Sequence, residues 1–233
     1  MSKLYPTPNI TKGSQVLLCV VALCACLHAS GREVLAMYLT KPASSHNEFK
    51  LVNKDFDAEL SINARYFSKP IEIPAGEIEL SIVPPSWQSS QELPNNAQTI
   101  TIPEDWDRIY LLFAEVPGKF AFPAQAVLIN ASSDSLPSGN TFVFNFSDAT
   151  VRGKFGDVQL TADPKSQAVI QPPRTDLGSY RVDIFAKYPE DDEIMILCGT
   201  KWLHEPNARK ILFITPPQNN RKYPSIRTVQ DFE

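Results

Sequence analysis

The chain has 233 residues, 43% of them hydrophobic and 21% charged, with a formal net charge of −4. That length holds one large domain or two of about 100 residues each, and the apolar fraction excludes a chain disordered by composition. Residues 1–31 contain Lys3 and Lys12 and no acid, so the remainder carries 20 basic against 26 acidic residues, which excludes the basic footprint that binding a nucleic-acid backbone demands.

The first element in chain order reads as an address. Lys3 and Lys12 precede a run of 12 apolar residues, VLLCVVALCACL at 16–27, and Ala29, Ser30 and Gly31 follow as small residues suited to cleavage. Such a run suits a secretory signal and falls short of the roughly 20 residues that span a bilayer. Residues 1–31 are therefore read as a signal peptide. A rival reading is a lipoprotein signal, since Leu23-Cys24-Ala25-Cys26 resembles a lipobox with Cys26 as the lipidated residue. Only Cys198 lies beyond this segment, so an exported chain has no internal disulfide. Cys198 reads as a small buried apolar residue, not as a nucleophile.

Short apolar runs of period two follow. The 20 prolines fall largely between them, where they end strands and exclude helix interiors. The first half predicts strands near 34–39, 49–53, 60–62, 71–73, 78–82, 99–102, 108–113 and 127–130. Pro74-Ala75-Gly76-Glu77 is a turn in which Gly76 takes positive φ. The clearest rhythm lies at 141–173. There Phe142, Phe144 and Phe146 share one face, Val151, Gly153 and Phe155 resume the alternation, and Val158, Leu160 and Ala162 continue it beyond a turn at Gly156-Asp157. This stretch predicts a four-strand meander with one face in a core and one in water, the latter carrying Arg152 and Lys154. Further strands are expected at 180–187, 193–202 and 210–215, and 225–232 either adds a last strand or stays loose. No window has the i, i+3, i+4, i+7 pattern of an amphipathic helix.

The two halves align loosely. Phe49-Lys50-Leu51-Val52-Asn53 can be laid on Phe142-Val143-Phe144-Asn145-Phe146, Ile82-Val83-Pro84-Pro85 on Ile170-Gln171-Pro172-Pro173, and Trp106 with Ile109 on Trp202 with Ile211. An internal repeat is the preferred reading. The expected fold is all-β, with two tandem Ig-like or transthyretin-like β-sandwich modules after the signal, at 32–122 and 123–233, the second ending in a polar tail.

Chemistry is sparse. His46 and His204 are far apart and read as surface histidines, and no metal-ligand spacing, G-x-S-x-G elbow or glycine-rich phosphate loop occurs. The acidic run Glu190-Asp191-Asp192-Glu193 lacks the spacing of a calcium loop and reads as a solvated turn. Asp55 and Asp57 form a single weak pair. Trp87, in a polar loop beside Pro85 and Ser86, is the one aromatic placed to stack on a sugar ring or anchor a partner; packing of its loop onto the sandwich is the competing reading. Trp106 and Trp202 are expected to pack into cores. Asn130-Ala131-Ser132 and Asn145-Phe146-Ser147 match the glycosylation sequon, which has no meaning in a bacterial host.

Over residues 105–215 the chain resembles uncharacterised exported bacterial proteins built from two β-rich modules. The resemblance rests on Ile109-Tyr110-Leu111-Leu112-Phe113 ahead of Pro117-Gly118, the strand of Phe142 and Phe146, the turn at Gly156, Pro164-Lys165-Ser166, and Trp202. It implies fold and compartment and no activity. The resulting expectation is a non-enzymatic extracytoplasmic protein, without cofactor or metal, that binds or scaffolds a cell-envelope protein or glycan. A glycan-binding module using Trp87 is the alternative, and a hydrolase with a spatially assembled site the third. Mass spectrometry of the mature N-terminus tests export. Loss of the leading residues is expected, an acyl group on Cys26 would mark an anchor, and an intact Met1 on cytosolic protein would refute export.

Overall fold

In the computed structural model the described residues are 31–39, 46–116, 118–217 and 221–232. The signal reading and Cys26 therefore lie outside them. Sixteen strands and no helix occur among the described residues. The first eight are β1 (Arg32–Tyr38), β2 (Glu48–Val52), β3 (Asp57–Ser61), β4 (Ile71–Ile73), β5 (Ile78–Val83), β6 (Gln98–Ile102), β7 (Arg108–Glu115) and β8 (Ala124–Asn130). The second eight are β9 (Thr141–Asn145), β10 (Thr150–Phe155), β11 (Val158–Ala162), β12 (Gln167–Ile170), β13 (Gly178–Lys187), β14 (Met195–His204), β15 (Ala208–Thr215) and β16 (Ser225–Phe232).

These strands make four four-stranded sheets. Two are β4-β1-β7-β8 and β3-β2-β5-β6; the other two are β12-β9-β15-β16 and β11-β10-β13-β14. Adding eight to each strand of the first pair gives the second pair, so the second half repeats the strand order of the first. Pairing directions repeat as well, including one parallel contact in each half, β1 with β7 and β9 with β15. A parallel pair needs a long crossover, and here strands of the other sheet supply it.

Each half is a β-sandwich with its own core. Val34, Ala36, Ile109, Leu111 and Phe113 of one sheet meet Phe49, Leu51, Leu80, Ile82 and Ile102 of the other. Val143, Leu212 and Ile214 meet Val151, Phe155, Leu160, Val182 and Ile184. A third core then joins the halves. Leu35, Met37, Tyr110 and Leu112 point away from the first core and pack with Phe142, Phe144, Ile211 and Phe213. The layer order is thus outer, inner, inner, outer, and residues 31–233 form one compact unit. The inner strands are buried on both faces, which is why β7 (RIYLLFAE) and β15 (ARKILFIT) lose the alternation that the outer strands keep.

Three expectations are corrected. The 141–173 stretch is not a meander: β9 and β12 pair with each other in the inner sheet, while β10 and β11 form a hairpin in the outer one. Its first strand has no water face, because the third core covers it. The break after Phe122 falls short of where pairing changes, since β8 pairs with β7 along its whole length and the crossing to the second sandwich comes at 131–140. The repeat is out of phase in the alignment drawn above. The counterpart of β9 is β1, not β2, and that of β12 is β4, not β5. Ile109 and Ile211 occupy matching strands but opposite faces: the first faces its own core, the second the shared one. One residue of slip reverses every face of a strand.

The shared core encloses ions. Asp231, on β16, accepts two hydrogen bonds from Arg108, from Nε at 2.9 Å and Nη2 at 2.6 Å. It also accepts from the Tyr110 hydroxyl at 2.5 Å and from Arg209 at 3.3 Å. Arg108 pairs with Glu33 as well, and Arg209 donates to the Leu136 carbonyl. The Tyr110 phenol is pushed far above its ordinary range by burial and then by Asp231, so it remains a neutral donor. Asp231→Ala would leave the buried Arg209 guanidinium and the Tyr110 hydroxyl without their carboxylate, while Arg108 keeps Glu33, and urea unfolding is expected to show a loss of about 3 kcal/mol. Asp157→Ala, which removes an exposed bridge to Lys154, is expected to leave the midpoint unchanged.

Candidate functional site

The outer sheet of the second sandwich has the surface best suited to a partner. Along β13 the side chains of Tyr180, Val182, Ile184 and Ala186 enter the core, and Arg181, Asp183, Phe185 and Lys187 face out. The ladders place Arg152 of β10 beside Phe185, and Ile196 of β14 on its other side. Between β13 and β14 the register slips, Ile184 opposing Cys198 and Phe185 opposing Ile196. The extra residue, Leu197, is a β-bulge, which bends the strand and re-aims its neighbours. Ile194 is 65% exposed and Ile196 74%. Beside them a cleft of about 430 Å³ is lined by Thr150, Arg152, Phe185, Lys187, Tyr188 and Ile194.

The matching face of the first sandwich is polar. Lys50 stands opposite Glu59, Glu79 opposite Thr101, and Ser81 opposite Thr99, with Phe49, Leu51, Leu80 and Ile100 turned inward. The architecture therefore does not require large apolar side chains on this face. Phe185, Ile194 and Ile196 are a departure from it, and an apolar patch rimmed by charge is a recurrent mark of an interaction surface.

Neighbouring charges are mostly satisfied within the chain. Arg181 donates to Asp183 from two nitrogens, which holds the Asp183 carboxyl below its usual range, chiefly through that hydrogen bond. The acidic run 190–193 is a tethered turn. Lys187 pairs with Asp192 at 3.5 Å, Lys222 with Asp191 at 3.5 Å, and Lys222 also with Glu193. The Glu193 backbone N–H and then Lys222 hold the Asp191 carboxyl low. Among the described residues no group of three or more His, Cys, Asp or Glu side chains could hold a metal ion.

The residues nominated by sequence are scattered. Trp87 is half-buried and donates its indole N–H to the Glu92 carbonyl of its own loop at 3.3 Å. Trp106 packs against the first core, and Trp202 packs edge-on against Phe155 in the second, 5.3 Å between centroids. Cys198 is half-buried, and burial pushes its thiol up, the wrong direction for a nucleophile. Asp57 pairs with Lys50. Asn145 is buried and wholly engaged: its amide donates to the carbonyls of Ala149 and Asp163, both at 2.8 Å, and its oxygen accepts from Ser147. His46 is exposed, as expected of a surface histidine. His204 is not: it closes β14 and is 4% exposed. The outer apolar patch went unnominated, although Phe185 visibly interrupts the polar series of Arg181, Asp183 and Lys187. No protein-family model and no curated protein matches the chain.

Burial, then the positive charges of Lys210 and Arg174, lowers the His204 pKa below its ordinary 6.5. A histidine so placed is neutral in the native state and binds its proton more readily once unfolded. Its contribution to stability is complete above about pH 6.5 and is lost as pH falls through the depressed folded value. The urea midpoint is expected to decline between about pH 7 and about pH 5, and His204→Gln to flatten part of that decline.

Proposed function

We propose that this protein is a non-catalytic, extracytoplasmic binding protein that docks a cell-envelope protein on the outer face of its second sandwich. The carrying observation is the asymmetry between two sandwiches of the same topology. One outer face exposes polar side chains on its strands, with Val52 and Val83 covered, and the other presents Phe185, Ile194 and Ile196 beside a cleft. The export half of this reading rests on residues 1–31. An apolar patch of branched and aromatic side chains favours a protein partner over a glycan, whose hydroxyls call for planar aromatics with adjacent polar groups. The rigid joint between the sandwiches suits a scaffold, because both outer faces are held in fixed relation by the shared core.

Capture from envelope extracts tests the reading. Burying one isoleucine contributes about 1.5–3 kcal/mol, so Ile196→Asp and Ile194→Asp are each expected to weaken capture of the retained protein by at least about tenfold. Thr101→Asp, on the polar face of the first sandwich, is expected to leave capture unchanged. Equal capture by all three variants would sink the assignment.

A further inference from the structure

A second site lies between the sandwiches and does not rest on the reading above. The two inner sheets pack face to face as pseudo-equivalents, so the structure has two wedges where their edges part. In one, β16 lies beside β1 and the segment leading into β4; in the other, β8 lies beside β9 and β12. The first wedge is filled by residues 62–70, which connect β3 to β4. Phe67 enters the shared core and stacks on Tyr110, with ring centroids 4.3 Å apart and planes at 22°. Ser68 bonds Ala36 twice, its backbone N–H to the Ala36 carbonyl at 2.8 Å and its hydroxyl from the Ala36 N–H at 2.9 Å. Arg227 of β16 then clips the plug, donating to the carbonyls of Tyr38 and Ala64.

The second wedge has no such plug. The equivalent connection, β11 to β12, is only residues 163–166. It turns tightly through Lys165 at φ 54°, and the Lys165 ammonium is spent on the Phe146 carbonyl and on Asp148. A cleft of about 530 Å³ remains. Phe142 and Phe144 form its floor, Trp106 and Ile129 its walls, and Asn130 and Gln167 stand on its lining with amides. Among the described residues none on its lining carries a charge.

We propose that this cleft binds an uncharged, planar aromatic small molecule. Its volume is in the range of small-molecule sites, which favour domain boundaries and combine apolar walls with a few polar groups. The occupant of the equivalent wedge is itself an aromatic ring stacked on an aromatic ring. A neutral ligand follows from the lining, since a buried charge needs a partner that the cleft does not supply. The Asn130 amide oxygen accepts from the Ser132 N–H at 3.0 Å, so its NH2 and the Gln167 amide orient one polar substituent.

The test titrates N-phenyl-1-naphthylamine, a neutral aromatic fluorophore, into the full chain. Saturable enhancement at one site per chain is expected. Ser135→Trp and Gln167→Trp fill the cleft from exposed positions and are expected to weaken binding at least tenfold with unchanged circular dichroism and urea midpoint. The anionic analogue 1-anilinonaphthalene-8-sulfonate is expected to bind at least tenfold more weakly than the neutral probe. Three results would overturn the proposal: no saturable binding, affinity in both filled variants equal to that of the unaltered chain, or anion binding as tight as that of the neutral probe or tighter. Loss of the probe in Ile196→Asp with retention in Ser135→Trp would move the site to the outer face and overturn it too.

Discussion

Four of the described strands have no side facing water, and the architecture depends on that constraint. β1, β7, β9 and β15 lie in the inner sheets, where each must satisfy its own sandwich core and the core shared with the other half. Side chains on both faces must therefore be apolar or fully paired. The exceptions prove costly to arrange. Arg108 and Arg209, at the openings of β7 and β15, both reach Asp231, and Tyr110 adds its hydroxyl. A buried ion cluster of this kind adds little net stability over apolar packing, but it tolerates no missing member. It ties β7 of one sandwich to β15 and β16 of the other, so separating the halves would expose apolar surface and break the cluster together.

That constraint also governs what was legible in the sequence. Outer strands report themselves: β10, β11 and β13 alternate cleanly, and the expected spans agree with the observed ones to within a few residues. Inner strands were found but misread. Phe142, Phe144 and Phe146 looked like the buried face of a half-wet strand, because period-two reasoning assumes one face in water. Here Val143 faces one core and Phe142 another. Sheet membership was not legible either. Hairpin chemistry at Gly156-Asp157 marks β10 and β11 as neighbours, whereas no local signal says that β9 crosses over to pair with β12 and β15.

The repeat is visible in the sequence but out of phase there, for a related reason. Similar dipeptides and prolines mark the ends of many strands, so Ile82-Val83-Pro84-Pro85 matches Ile170-Gln171-Pro172-Pro173 in chemistry while ending strands of different sheets. Long-range pairing carries the true correspondence. Once that is known, the halves become controls for one another. A feature present in both is required by the fold, as with the parallel pair in each inner sheet. A feature present in one only is open to another explanation.

The seams between inner and outer sheets extend the comparison. In the first sandwich the edges of β6 and β8 are stitched by Gln98, whose side chain accepts from the Ala126 N–H at 3.0 Å and donates to its carbonyl at 3.3 Å. A side-chain amide there satisfies a backbone edge as another strand would. In the second sandwich the counterpart seam, β14 against β16, is held from beneath. The Lys210 ammonium bonds the Leu203 carbonyl at 2.6 Å and sits 5.1 Å from the centre of the Trp202 ring. Burial lowers its pKa, while the Glu205 carboxylate acts the other way, and the carbonyl and the ring faces accept its charge. The two solutions differ in what they leave outside. Gln98 caps a five-residue edge strand, whereas Lys210 anchors one end of a ten-residue strand whose other end carries Ile196. Length and anchoring together hold an apolar strand at the surface, where a short or sealed edge could not present one.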